Sequence, residues 1–162
     1  MIRPVRLYPD PVLVQPCGPA TERDAERLVT DLVDTMRSLP GCVGLAAPQI
    51  GELLRVAVVD CAAHRSYSAG NGLMLLVNPR VVDGTGRELG REGCQSIPWC
   101  TVDVKRFRRI VVESESDRYA WSTGIEARAV QHELDHLDGV LVLDRAASAR
   151  AIHHRDPAAR PD

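Results

Sequence analysis

The sequence predicts an α+β fold, with mixed or antiparallel β-sheets packed around a helix that carries His132-Glu133-Leu134-Asp135-His136. Three observations predict it. Helical periodicity appears near both ends, short Val- and Leu-rich runs fill the middle, and the order never alternates strand with helix as a parallel sheet requires. No internal repeat or long Pro/Gly/Ser tract divides the chain, so residues 1–144 are expected to form one catalytic domain.

The elements follow in order. The first twenty residues are punctuated by Pro4, Pro9, Pro11, Pro16 and Pro19, and are expected to run extended across the surface. Thr21 is placed to cap a helix with Glu22 and Asp24 in its first turn. Leu28, Leu32, Met36 and Leu39 then recur at helical spacing until Pro40-Gly41 ends the run. Arg55–Asp60, Leu73–Asn78 and Arg109–Glu113 read as strands, Ser66–Gly72 as a surface loop, and Asp83-Gly84-Thr85-Gly86 as a hairpin turn. Thr123-Gly124-Ile125-Glu126 has the spacing of a capping box, opening a helix that Gly139 stops after about four turns. Val140–Leu143 is expected as a closing strand or extended segment, and 145–162 as a tail that adds a short helix and then frays.

Composition bounds the function. A net charge of −2 gives no basic field for nucleic acid, and the apolar runs are too short to span a bilayer. Met1–Arg6 lacks the apolar stretch of a secretory signal. Five cysteines without a C-x-x-C pair suit a reducing compartment, so a cytoplasmic location is expected, with neither nucleic-acid nor membrane partners.

The chemistry is carried by three segments. In His132-Glu133-Leu134-Asp135-His136 the histidines are four apart, so they share one helical face and suit a single metal ion, with Glu133 beside them. Ile125, Ala129, His132 and His136 form one stripe, which turns both imidazoles inward, where a metal would satisfy them. A catalytic site needs a third ligand. The downstream histidine of a longer protease pattern would fall at Val142, and Glu133 is the last glutamate. Candidates are therefore Cys94, His64, the His153-His154 pair and a few aspartates. Cys94 lies in Glu92-Gly93-Cys94-Gln95-Ser96, where glycine permits close backbone approach. The third segment is Val43-Gly44-Leu45-Ala46-Ala47-Pro48-Gln49, a backbone edge open to a peptide, with Gln49 as a polar group for a cleft.

Together the three segments, in this order, resemble the signature motifs of peptide deformylases. Tyr8-Pro9-Asp10-Pro11-Val12-Leu13 and Asn78-Pro79 extend the resemblance over about residues 5 to 144. Cys42 stands where the first motif usually has glycine, Gln95 where leucine is common, and Trp99-Cys100-Thr101 follows in place of a smaller, more polar continuation. The resemblance implies hydrolytic removal of formyl from an N-terminal methionine, releasing formate. It implies Cys94, His132 and His136 as metal ligands, Fe²⁺ as the native ion, and Zn²⁺, Ni²⁺ or Co²⁺ as alternatives. Glu133 would act as general acid–base, with Gln49 and the Gln95 N–H as oxyanion donors, and Val43, Gly44 and Gly93 would pair with the substrate main chain. The implied partner is an N-formylmethionyl peptide on nascent chains near the ribosome. A deformylase or amidase diverted to another small acylated substrate is the alternative; a metalloendopeptidase or a non-catalytic metal-binding module is weaker, because a structural site needs no adjacent base.

Overall fold

The computed structural model describes residues 1–116 and 118–155. Helix α1 spans Glu22–Ser38 and begins as expected: the Thr21 side chain accepts from the Asp24 N–H while Asp24 reaches back to the Thr21 N–H. Strands β1 (Gly44–Ala46), β2 (Val56–Val59) and β3 (Met74–Val77) form an antiparallel sheet. One face packs on Leu28, Leu32 and Met36 of α1. The other faces Ala127, Ala129, Val130 and Leu137 of helix α2, Gly124–Leu137. Burial on both faces explains why β2 reads as an unbroken apolar run, not an alternating one.

The second sheet is built on a long hairpin of β4 (Arg80–Cys94) and β5 (Ile97–Glu113), flanked by β6 (Arg118–Thr123) and, further along β5, by β7 (Ile152–His154). All named strand pairs are antiparallel. Ile110 and Val112 of β5 join the same cluster, so α2 packs against both sheets as the central helix that the sequence predicts. A third cluster joins Leu13, Cys94, Ile97, Val102, Val104, Leu141 and Val142, and seats the closed end of the hairpin.

Several expectations are corrected. Asp83-Gly84-Thr85-Gly86 lies inside β4, with Gly84 packed under the Phe107 ring; the hairpin turns at Gln95-Ser96. Thr123 makes no side-chain cap to α2. Glu126 is buried instead, accepting from the Asn71 N–H at 2.9 Å and the Asn71 amide at 2.7 Å, which ties down the loop before β3. Val142–Arg145 is a 3-10 turn, not a strand. In the tail, the residues expected to be helical supply β7, an edge strand whose backbone groups are satisfied by Cys100–Val102. The fraying expected beyond it lies outside the described residues.

Candidate metal centre and active-site cleft

The centre forms where the C-terminal half of α2 meets the last residue of β4. One ligand atom each from Cys94, His132 and His136 lies within 4.8 Å of the others, and all three residues are buried. His136 Nε2 stands 3.3 Å from Cys94 Sγ. Glu92 occupies Nδ1 of His132 at 3.0 Å, leaving Nε2 for the centre. Burial alone would push the Cys94 thiol up, but the neighbouring His136 and His132 imidazoles hold it well below its ordinary range. One thiolate with two imidazoles fits a borderline-soft divalent ion such as zinc or iron(II).

Glu133, the next residue along α2, stands outside this donor set. Burial pushes its carboxyl up to about 7, against the opposing pull of His132 and His136. Its Oε2 has no hydrogen-bond partner among the described residues. The strand β1 passes so close that a Cβ on Gly44 would stand 2.6 Å from Glu133 Oε1, so any side chain there would displace the Glu133 carboxyl. A buried carboxyl titrating near neutrality suits a group that both takes and returns a proton.

Gln49 sits in a 3-10 turn, Ala47–Ile50, between β1 and β2. Its Oε1 accepts from the Ala46 N–H at 2.9 Å. That bond fixes the amide and aims Nε2 at Ser96 Oγ, 3.2 Å away, and toward Cys94 Sγ at 3.9 Å. A cleft of about 480 Å³ opens over these groups. Of the nine residues singled out from the sequence, Val43, Gly44, Gln49, Gly93, Cys94, Gln95, His132 and Glu133 line it, and His136 lies behind them, 1% exposed. Cys42 also lines it. Its φ is not positive, so the backbone there is unstrained, and its thiol donates to the Gly44 carbonyl at 3.1 Å. Pro98 belongs to the wall, whereas Trp99 does not. Among the other ligand candidates, His64 lines the cleft outside the donor cluster, and His153 is engaged by Asp103 at 2.7 Å.

Sequence reasoning misses the charged frame behind the ligands. Arg106 reaches both oxygens of Glu92 at 2.9 Å and Asp135 at 2.5 Å, Arg128 meets Glu92 at 2.8 Å, and Arg145 meets Asp135 at 2.7 Å. Burial alone would raise the Glu92 carboxyl; bonds from Arg106 and His132 bring it down to about 2, so it stays ionised. Glu92 and Asp135 stand inside the motifs and carried a signal. Their arginine partners carried none: Arg106 and Arg128 stand 14 and 36 residues from Glu92, and Arg145 stands 10 from Asp135.

Comparison with known proteins agrees with this geometry. The polypeptide deformylase family profile matches residues 2–151. The peptide deformylase of Dictyoglomus thermophilum is 41% identical, over 90% of this chain and 94% of its own. That of Acidothermus cellulolyticus is 42% identical, over 89% of this chain and 78% of its own. The Legionella pneumophila deformylase structure superposes with a TM-score of 0.80 at 30% identity, covering 93% of this chain and 89% of that one. An Acinetobacter baumannii class I type b deformylase structure bound to Met-Ala-Ser gives 0.80 at 27% identity, covering 90% and 98%. The chain therefore belongs to the polypeptide deformylase family, metal-dependent hydrolases that remove the N-formyl group from nascent polypeptides.

Proposed function

We propose that Cys94, His132 and His136 hold one Fe²⁺, with Zn²⁺, Ni²⁺ or Co²⁺ able to replace it, and that Glu133 is the general acid–base of deformylation. Held by these three residues, a divalent ion would supply Lewis acidity for attack on the formyl carbonyl. Glu133 takes the proton from the nucleophile and returns it to the departing methionine amine, for which a carboxyl titrating at about 7 is well matched. Gln49 Nε2 and the Gln95 backbone N–H donate to the oxygen as it gains charge. The main chain of Val43, Gly44 and Gly93 pairs with the substrate as an added strand. That the A. baumannii relative's structure is bound to Met-Ala-Ser supports a short peptide as the cleft's occupant.

One observation carries this reading: a thiol–imidazole donor cluster with an unpartnered buried carboxyl beside it, at the floor of a peptide-sized cleft. We place the enzyme in the cytoplasm, acting on chains as they leave the ribosome. In support, no helix among the described residues is long and apolar enough to cross a membrane, and the substrate is nascent polypeptide. The test is formate release from a formyl-Met tripeptide by anaerobically iron-loaded protein. Rapid release is expected. Turnover of other formylated or acylated small molecules, with none of the peptide, would favour the diverted-substrate alternative.

A further inference from the structure

Arg155 follows directly on β7. Its N–H donates to the Trp99 carbonyl at 2.9 Å, one step beyond the Cys100–His154 and Thr101–His153 pairs. From that edge its side chain reaches back across β5 into the cleft wall, where Nη1 stands 3.4 Å from the point at which a Cβ on Gly93 would lie. The Thr101 methyl, on the β5 residue paired with Gly93, is 4.0 Å from the same point. Two small residues thus leave a path for a guanidinium to reach the strand that ends at Cys94.

The wall's other arginines, and Glu92, are already answered. Glu92 is held by Arg106 and Arg128. Arg128 also donates to the Gly90, Val104 and Glu88 carbonyls, and Arg91 is bound by Asp103. Glu133 is buried at the floor. The half-buried Arg155 makes no side-chain hydrogen bond or ion pair with any described residue, so among them it is the arginine of this wall without an acidic partner.

We propose that Arg155 is a specificity-determining residue: it receives an acidic side chain from the residues after formyl-methionine, so the cleft favours formyl-Met peptides with Asp or Glu downstream over those with Lys. This deepens the deformylase reading and rests on it. With the formyl carbon at the Cys94 end, an extended substrate advances about 3.3 Å per residue along β4. The side chains that follow methionine then come level with Gly93 and the guanidinium beside it. Arginine's planar fork accepts a carboxylate in two parallel bonds, a geometry a lysine on the substrate would meet with repulsion.

The test compares kcat/KM for formyl-Met-Asp-Asp-amide, formyl-Met-Ala-Ala-amide and formyl-Met-Lys-Lys-amide; amidation removes the terminal carboxylate. The native enzyme is expected to favour the Asp over the Lys peptide about tenfold, chiefly in KM, since a half-buried pair exceeds an exposed one. The preference should shrink at about 0.5 M salt. Arg155→Ala should reduce the ratio to within about twofold, Arg155→Lys should keep most of it and Arg155→Glu should reverse it, with kcat on the Ala peptide unchanged throughout. A native ratio near one, or a ratio that survives in Arg155→Ala, overturns the proposal. Failure to turn over even the Ala peptide would instead strike the deformylase reading. Calorimetric binding of Met-Asp-Asp-amide against Met-Lys-Lys-amide then decides the Arg155 question alone, equal affinities refuting it.

Discussion

Glu92 Oε2 lies 3.0 Å from His132 Nδ1, and both oxygens of the same carboxylate are gripped by Arg106. The imidazole that faces the metal centre is therefore oriented by an anion that is itself held in place. Removing that anion while keeping its shape should loosen the site. Glu92→Gln is expected to weaken metal binding about 10- to 100-fold, read by chelator competition. Unchanged affinity would mean that packing alone orients His132.

Glu133 predicts the opposite pattern. Since it lies outside the donor cluster, Glu133→Gln should keep a full complement of metal by elemental analysis yet lose ~10²–10⁴ in kcat. Near-normal turnover with metal confirmed would exclude the proposed proton path. Gln49→Leu should cost ~10² by deleting one oxyanion donor. Part of its effect will be on stability, because the Ala46 N–H loses its acceptor.

How much of this was legible in the sequence depends on where the signal resides. The His132–His136 spacing and the Thr21–Asp24 cap are local, and both appear in the structure as read. Strands β2 and β3 were legible because covering helices make them continuously apolar. Strand β4 was not, since most of its fifteen residues face solvent and its run of charges and glycines reads as loop. Its real turn, Gln95-Ser96, contains no glycine to mark it, whereas Gly84 and Gly86 within the strand mimic one. Strand β7 was hidden for a related reason: an Ala- and Arg-rich segment reads as helical until a free sheet edge captures it. Cys94 became a ligand candidate of weight only through family resemblance, and the arginine frame needed the fold.

Thiol reactivity offers a chemical check on burial. Burial pushes Cys17 up to about 11 and Cys42 and Cys61 up to about 12, so few thiolates exist at pH 8. Native, metal-loaded protein should resist iodoacetamide at all three, whereas urea-unfolded protein should react at all five cysteines. Stripping the metal should expose one fast thiol, lost in Cys94→Ala. Rapid labelling of Cys61 in the native state would contradict the packing around it.

Asp103 ties β7 to the sheet. Bonds from Arg91 and His153 lower its carboxyl from 3.8 to about 2. A carboxyl whose folded pKa is depressed contributes stability that is fully present above its ordinary value and lost as pH falls through the folded one. Amide-exchange protection of Ile152–His154 should accordingly hold at pH 6 and decline between about pH 4 and 2, while α1 and the first sheet are less affected. Asp103→Asn should lower protection of β7 at neutral pH and flatten that acid dependence. An unchanged profile in the variant would detach Asp103 from the docking of β7.

The last prediction concerns Gln95, where the chain departs from the leucine common in the family. Gln95 sits in the hairpin turn and lines the cleft beside Cys42, whose thiol its side chain draws down slightly against the rise that burial imposes. The two departures from the motifs thus line the same cleft near one another, and substituting one should change the setting of the other. Because the proposed oxyanion donor at 95 is the backbone N–H, Gln95→Leu should retain turnover of formyl-Met peptides. Selectivity should move instead. The native enzyme is expected to discriminate less between formyl-Met and formyl-Gln tripeptides than Gln95→Leu does. The difference should be tens of fold at most, since one such contact in a side-chain pocket is worth ~1–3 kcal/mol. Cys42→Gly should shift selectivity by itself, and the double variant should depart from the sum of the two, since neighbouring groups that share a pocket are not additive. Identical selectivity in native and Gln95→Leu proteins would remove Gln95 from the pocket's chemistry, and strict additivity would remove its link to Cys42.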